Sequence, residues 1–546
     1  MSGAESKGGP LLPPSPAGKG WGWGSEAVKP RVNAGVEPPP QPLPSGEGLS
    51  RRAVMAVGAA SMWVSLTGTY YAVDATDGLA APDGFFTSRE DGFDERKPRT
   101  FLGIRYALAK RFEVPVPVVE AQQFRWRSAD FGPICPQVSL RERTQSEDCL
   151  FLNVWTPDPA PKRSKPVMVY FHGGAYSTGS VTDPLNDSAK LATRGDVVVV
   201  TVNHRLNALG YLYLPERFPD SGNTGQLDLI CALQWVQRNI AAFGGDPGNV
   251  TVFGQSGGGA KIATLMAMPA AKGLFHKAIT MSGQQVTASG PLNAKKRTQA
   301  FLDKLGPGVD PATAPVEALV AALSATDPIL GGGVYFGPVL DMRNLHRHPF
   351  WPDPAPQGNA VPMLLGNTVA ETRAFFPPDH PRLKGLDWTN LAERAGPELR
   401  IDLKPEWVVE QFRTRYPADS PEQIFHRMVT AGRSWRGQVE EADARARAGV
   451  RKTWVYQLDF EQAKHTDDIG LSFGTFEDPT PARQAMSDRM MDAFVRFART
   501  GDPGWTPYSL VRRETMVFDS SSRVVSDPRQ WERELFARVP YIQPGT

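Results

Sequence analysis

From Thr100 onward, short runs of wholly apolar residues alternate with longer stretches in which apolar residues recur every three or four positions. The runs at 150–154, 167–171, 197–202 and 249–253 are bounded by Pro, Gly or polar residues, and the third is almost pure Val. Short apolar runs without polar alternation suit strands covered on both faces, the condition of a central parallel sheet. The stretches 227–242 and 259–268 carry helical spacing between them. Farther on, 363–365 and 454–458 predict later strands, and 486–500 predicts an amphipathic helix ended by Thr500-Gly501-Asp502-Pro503. Strands alternating with helices point to an α/β doubly wound sheet. The segments 290–335 and 380–450 are helix-rich and read as insertions around that sheet. No clean linker or solenoid-type repeat interrupts 100–546, so 76–546 is expected to be one domain.

The first fifty residues break this pattern. They carry Pro-Pro and Gly-Lys-Gly runs and almost no apolar periodicity. Such a composition buries too little apolar surface to offset chain entropy, so 1–49 reads as a disordered leader, or as upstream DNA translated from a start codon set too early. Ser50-Arg51-Arg52 and the apolar stretch 53–68 follow. Paired arginines before a modest apolar run resemble a twin-arginine export signal, so 50–75 is expected to be a signal segment that sends the protein to the periplasm or out of the cell. If that signal is idle, the protein is cytoplasmic. The run is too short and too rich in small residues to be a comfortable membrane span.

Over the whole chain of 546 residues, 41% are apolar and 22% charged, ordinary values for a globular protein with a large core. The formal net charge of +2 gives no basic footprint for nucleic acid and no polybasic membrane patch. Three cysteines are present, none with metal-site spacing. Cys135 and Cys149 flank a polar loop, and a bridge there would close about 15 residues, worth roughly 3 kcal/mol in a chain-entropy picture. Cys231 falls on the apolar face of a predicted helix, where core packing is its expected role.

The most informative stretch is Val250-Thr251-Val252-Phe253-Gly254-Gln255-Ser256-Gly257-Gly258-Gly259. It is a strand, then G-x-S-x-G, then a helix. A Ser on so sharp a turn is forced into a strained backbone conformation, and its oxygen stands at the carboxyl end of the sheet above a helix N-terminus. Upstream, Val167-Met168-Val169-Tyr170-Phe171-His172-Gly173-Gly174 is a strand running into His-Gly-Gly. Its two glycines can turn backbone N–H groups toward a ligand. Gly173 and Gly174, joined by Gly257, are therefore the candidate donors of an oxyanion hole. Alone, each motif could be a plain Gly-rich turn; their pairing favours chemistry.

With these motifs the chain resembles the type-B carboxylesterase family, which includes bacterial para-nitrobenzyl-type esterases, cholinesterases and neuroligins. Two further stretches carry the resemblance: Glu147-Asp148-Cys149-Leu150-Phe151-Leu152-Asn153-Val154, and Gly222-Asn223-Thr224-Gly225-Gln226-Leu227-Asp228 leading into Trp235-Val236-Gln237-Arg238-Asn239-Ile240. So does Phe243-Gly244-Gly245-Asp246-Pro247-Gly248-Asn249, directly before the Ser elbow. The likeness runs from Phe101-Leu102-Gly103-Ile104-Arg105 to about Met516-Val517-Phe518-Asp519. It implies an α/β-hydrolase fold: a large, mostly parallel central sheet flanked by helices, with helical insertions.

The resemblance also implies a Ser-Glu-His order of catalytic residues. Ser256 is the nucleophile. Glu371, in Gly366-Asn367-Thr368-Val369-Ala370-Glu371, takes the acid position of a G-x-N-x-x-E motif whose Asn is here displaced by one. His465, in Ala463-Lys464-His465-Thr466-Asp467-Asp468, takes the place of the base. A disulfide between Cys135 and Cys149 is likewise implied. No cofactor or metal is required, and the partner is a small-molecule ester. The oligomeric state is left open. Gln255 departs from the Glu that many members carry before the nucleophile, which weakens the case for a cationic choline ester and favours a neutral one. His172 and His204 read as structural, and His276, His346, His348, His380 and His426 as surface or packing residues. Two rival functions stand beside the esterase reading: hydrolysis of another acyl bond (amide, thioester or lactone), and a non-catalytic binding protein of neuroligin type.

Overall fold

In a computed structural model of the protein, residues 78–88, 97–119, 130–140 and 143–543 are described throughout, with short backbone pieces at Trp63–Val64, Tyr70–Tyr71, Val73–Asp74 and Arg125–Arg127. The leader 1–49 lies outside the described residues, as does 50–75 apart from those pieces. Ten strands form one sheet: β1 (Arg99–Arg105), β2 (Phe151–Thr156), β3 (Lys165–Phe171), β4 (Val198–Val202), β5 (Gly245–Gln255), β6 (Lys277–Met281), β7 (Met363–Thr368), β8 (Thr453–Leu458), β9 (Glu514–Phe518) and β10 (Arg523–Ser526). Across the sheet the order is β10-β9-β8-β7-β6-β5-β3-β4-β2-β1. The seven strands from β9 to β4 pair parallel, and β10, β2 and β1 close the edges antiparallel.

The apolar runs form strands for the reason their pattern gives: both faces are covered. Along β3, Val167, Val169 and Phe171 join one core while Met168 and Tyr170 join another. Valines of β4 divide the same way, Val198, Val200 and Val202 against Val199 and, just before the strand, Val197. Helix α1 (Thr224–Asn239) covers the first face with Leu229, Leu233, Trp235 and Val236, and α2 (Gly257–Leu265) adds Ile262 and Leu265. The second face is covered by α4 (Asp467–Phe473) and α5 (Pro481–Thr500), through Phe473, Met490, Phe494 and Phe497; α3 (Arg436–Arg447) precedes β8. Helices Leu391–Leu399, Pro405–Arg415 and Pro421–Val429 build a third core with Leu535 and Phe536, the helical insertion expected at 380–450. Strands β1, β6, β9 and β10 lie outside the runs that the pattern picks out. Lys277-Ala278-Ile279-Thr280-Met281 carries polar residues that the sheet nonetheless buries.

The bridge expected between Cys135 and Cys149 is not shown in this structure. Cys135 and Cys149 are both free thiols, each buried. They meet side by side: contact with the Cys135 thiol, together with burial, pushes the Cys149 thiol well above its ordinary pKa. Cys135 Sγ also accepts the Leu206 N–H at 3.2 Å. Side-chain hydrogen bonds tie the intervening loop: Gln145 Oε1 accepts the Gln137 N–H at 2.9 Å, and Gln145 Nε2 donates to the Ser139 and Leu140 carbonyls, each at 3.1 Å. Cys231 packs in α1 as a core residue.

Among the described residues no helix is long and apolar enough to cross a membrane, and no cluster of His, Cys, Asp or Glu is placed to hold a metal ion.

Candidate active site

The chain leaves β3 for β4 on one side and returns to β5 on the other, so the carboxyl ends of β3 and β5 flank a crevice, the usual ligand position in such sheets. Ser256 ends β5 and begins α2. Its φ of 54° and ψ of −122° lie in a region that L residues rarely adopt. Local crowding dictates the turn's glycines. A Cβ at Gly254 would lie 2.8 Å from the Phe171 carbonyl oxygen, and one at Gly258 would overlap that same oxygen. The turn is pinned from β6 by the Ser256 N–H, which donates to Met281 O at 2.7 Å.

The His-Gly-Gly loop lies directly over this elbow. A Cβ on Gly173 would stand 3.3 Å from Ser256 Cβ, and one on Gly257 would overlap the Ala175 carbonyl. Gly174 adopts φ +84°, a left-handed conformation open to glycine. Gly257 occupies the first turn of α2, whose N–H groups have no partner within the helix. Gly173, Gly174 and Gly257 are thus gathered around one serine.

Glu371 and His465 meet across the ends of β7 and β8. Glu371 is fully buried at the start of a short helical turn after β7, and its Oε2 accepts from His465 Nδ1. Its Oε1 accepts the Thr368 N–H at 2.8 Å, the Asn367 amide at 3.3 Å and the Ser282 hydroxyl. Burial alone would raise the Glu371 pKa, but the neighbouring His465 charge and the bonds from His465, Ser282 and Thr368 outweigh it and hold the carboxylate below its ordinary range. With Nδ1 committed to Glu371, His465 Nε2 is the atom left for chemistry. It faces the elbow, 3.1 Å from the side-chain amide of Gln255, the residue before Ser256. Phe375 packs against the imidazole, ring centroids 4.7 Å apart.

Two residues of this arrangement went unread in the sequence. Ser282 follows β6, a strand whose polar residues hide it, and Asp468 lies in the first turn of α4, three residues after His465. Asp468 is fully buried and accepts from Tyr456 Oη at 3.0 Å; burial, then the Glu371 charge, push its pKa up to about 7. The other histidines stand apart from the elbow's base. His172 and His204 stack on each other with centroids 4.8 Å apart, both buried, while the Nδ1 atoms of His276 and His348 accept the Val250 and Ala288 N–H groups. His346 bonds the Arg343 carbonyl, His380 the Arg382 N–H, and His426 is buried against the Thr372 hydroxyl. Arg205, next to His204, pairs at 2.6 Å with Asp228, the last residue of the 222–228 stretch, both side chains buried.

The carboxylesterase family model matches residues 87–529. The chain belongs to the carboxylesterase family. It is 34% identical over 487 residues to a para-nitrobenzyl esterase of Bacillus subtilis, covering 81% of this chain and 96% of that one. It is 32% identical to a probable N-octanoylanthranilate hydrolase of Rhodococcus erythropolis, covering 78% and 94%. A carboxylesterase structure from Geobacillus stearothermophilus superposes with a TM-score of 0.74 at 34% identity, covering 84% of this chain and all of that one. A Clostridium hathewayi esterase that can hydrolyze aliphatic aromatic polyesters gives a TM-score of 0.68 at 30% identity. This carboxylesterase therefore has the α/β-hydrolase fold and hydrolyses carboxylic esters, which sets aside the non-catalytic reading.

Proposed function

We propose that this carboxylesterase works through a Ser256-Glu371-His465 triad and an acyl-enzyme intermediate, with the N–H groups of Gly173, Gly174 and Gly257 as the oxyanion hole. The observation that carries the reading is the convergence on one strained elbow. A serine at positive φ, a glycine loop within van der Waals reach of it, and a carboxylate-bonded histidine facing it come from three distant parts of the chain.

In the reaction, the Gln255 amide yields His465 Nε2 to the Ser256 hydroxyl. Nε2 takes the proton as Oγ attacks the ester carbonyl. Glu371 fixes the tautomer of the neutral imidazole and stabilises the imidazolium that forms, and the three N–H groups bind the oxyanion. Collapse breaks the ester C–O bond, and the alcohol leaves with the proton from Nε2. Water, deprotonated by the same nitrogen, then attacks the acyl-enzyme and frees the acid and Ser256. Gln255 places an uncharged amide beside the base, which suits a neutral ester. A second reading, cleavage of an amide, rests on the likeness to an N-octanoylanthranilate hydrolase.

A panel of p-nitrophenyl esters of graded acyl length, run beside anilides and thioesters, separates the two. Ester kcat/KM is expected to exceed that for anilides at every acyl length; the reverse order overturns the ester preference. Ser256→Ala is expected to lose at least about 10³-fold in kcat, and an organophosphate should label Ser256 alone. Labelling elsewhere with inhibition overturns the nucleophile. All ten sheet strands fall between Arg99 and Ser526, which supports 76–546 as one catalytic domain. The export signal at 50–75 rests on Arg51-Arg52; Arg51→Lys with Arg52→Lys should block export, and unchanged export removes it.

A further inference from the structure

We propose that Lys261 is a positioning residue of the oxyanion hole: its ammonium holds the His172 carbonyl inside the protein, and so aims the Gly173 N–H of the same peptide at Ser256. The inference rests on the oxyanion role given above to Gly173.

Lys261 lies on α2, five residues after Ser256, with its side chain fully buried. Its Nζ donates to His172 O at 3.0 Å. In a trans peptide the carbonyl of one residue and the N–H of the next point in opposite directions, fixed by the planarity of the bond. A donor that holds the His172 oxygen against α2, where it also lies 3.1 Å from the Cβ position of Gly258, therefore fixes the direction of the Gly173 N–H, and Gly173 itself lies against Ser256. The same hydrogen bond polarises the amide and strengthens its N–H as a donor.

Plain packing does not account for a lysine here. A methionine would fill similar space with no charge to desolvate. Burial is the one cause that shifts this ammonium, pulling it down to about 7, with no carboxylate beside it to compensate. Its charge also bears on its neighbours. After burial, Lys261 is the next cause that holds the stacked His172 and His204 rings well below their ordinary pKa, in the uncharged form. The Nζ also sits 5.9 Å from the centroid of Tyr176, three residues beyond Gly173. A costly buried amine is thus kept where its one strong hydrogen bond reaches the oxyanion peptide.

The test uses the full-length enzyme, Lys261→Met and Lys261→Gln, with a p-nitrophenyl ester and a trifluoromethyl ketone, whose adduct with a serine carries the oxyanion. Lys261→Met removes the donor. It is expected to lower kcat about 10-fold or more with KM within about threefold, and to raise the ketone inhibition constant by a factor matching the loss in kcat. Lys261→Gln keeps an N–H on a shorter arm and should fall between the methionine variant and wild type. If the methionine variant does not fold, the glutamine variant reads the same split between kcat and KM.

Unchanged kcat and ketone affinity in a folded variant would overturn the proposal. So would a loss in KM alone, or a loss of activity that tracks a fall in melting temperature while the ketone binds as tightly as before. Organophosphate labelling of wild type separates this failure from that of the underlying reading. If wild type is not labelled at Ser256, the triad falls. If it is, and Lys261→Met holds the ketone as wild type does, only the role of Lys261 falls.

Discussion

Glu441→Gln should stabilise this enzyme in mild alkali and leave it unchanged in acid. Glu441 lies on α3 with no exposed surface; its Oε1 accepts the Gln285 N–H at 2.7 Å and its Oε2 meets no hydrogen-bond partner. The nearest cation, Arg445, spends its guanidinium on Thr453 Oγ1 and the Gly358 and Val361 carbonyls. Burial therefore dominates and pushes the Glu441 carboxyl from its ordinary 4.5 up to about 8. Between these two values the folded chain keeps a proton that the unfolded chain has released, so stability falls as pH rises. The loss is about 1.4 kcal/mol per pH unit, at most about 5 kcal/mol by pH 8, and it is absent below pH 4.5. Glutamine keeps the acceptor for Gln285 and removes the proton. Relaxation around a buried charge leaves about half of that maximum, so the variant should gain about 2–3 kcal/mol at pH 8.5. With roughly 2.1 cal/mol/K of unfolding entropy per residue, a fold of this size turns that gain into a melting shift of about 2–3 °C. Scanning calorimetry of both proteins at pH 5 and pH 8.5 reads it. An equal shift at both pH values, or a destabilised variant at pH 8.5, would refute the reasoning, because Glu441 would then be ionised and paired in the native state.

Glu371→Gln keeps the size of the side chain but no longer fixes the tautomer of His465, so kcat should fall by about 10⁴ with KM little changed in steady-state ester hydrolysis. A loss under tenfold would mean that Glu371 does not orient the base. Gly258→Ala places a Cβ on the Phe171 carbonyl oxygen, a backbone atom that cannot swing aside; soluble yield or melting temperature should drop sharply, and a wild-type melt would show that the elbow is looser than its contacts indicate. Alkylation of denatured, unreduced protein should modify all three cysteines by intact mass, in keeping with free thiols at Cys135, Cys149 and Cys231; one modified thiol would mean that the paired two are oxidised in solution.

Much of this enzyme is legible in the order of its residues, because much of it is decided locally. Strand runs such as 167–171 and 197–202 announce themselves since a strand covered on both faces must be apolar at every position. The G-x-S-x-G pattern is also legible in the sequence, although what forbids a Cβ at Gly257 and Gly258 is the backbone of the β3 end and the His-Gly-Gly loop laid over the elbow. The strands' partners are another matter. Nothing in 453–458 says that Tyr456 lies beside Gly366, yet its ring fills the space a side chain there would need. Sheet order sets that pairing, and with it the meeting of Glu371 and His465 at neighbouring strand ends.

Other features were decided by packing alone. Ser282 bonds Glu371 only because β6 lies next to β7, and Gln255 reaches His465 only because β5 and the end of β8 converge on one crevice. The resemblance suggested a Cys135–Cys149 bridge; the fold brings the two together as buried neighbours, with Cys135 accepting the Leu206 N–H. Lys261 is the sharpest case. A lysine in a helix reads as a solvated residue, since periodicity tells how apolar a face is and not what will be laid over it. Only when α2 is packed beneath the His-Gly-Gly loop is its amine shut away from water, with the carbonyl of His172 as its hydrogen-bond acceptor.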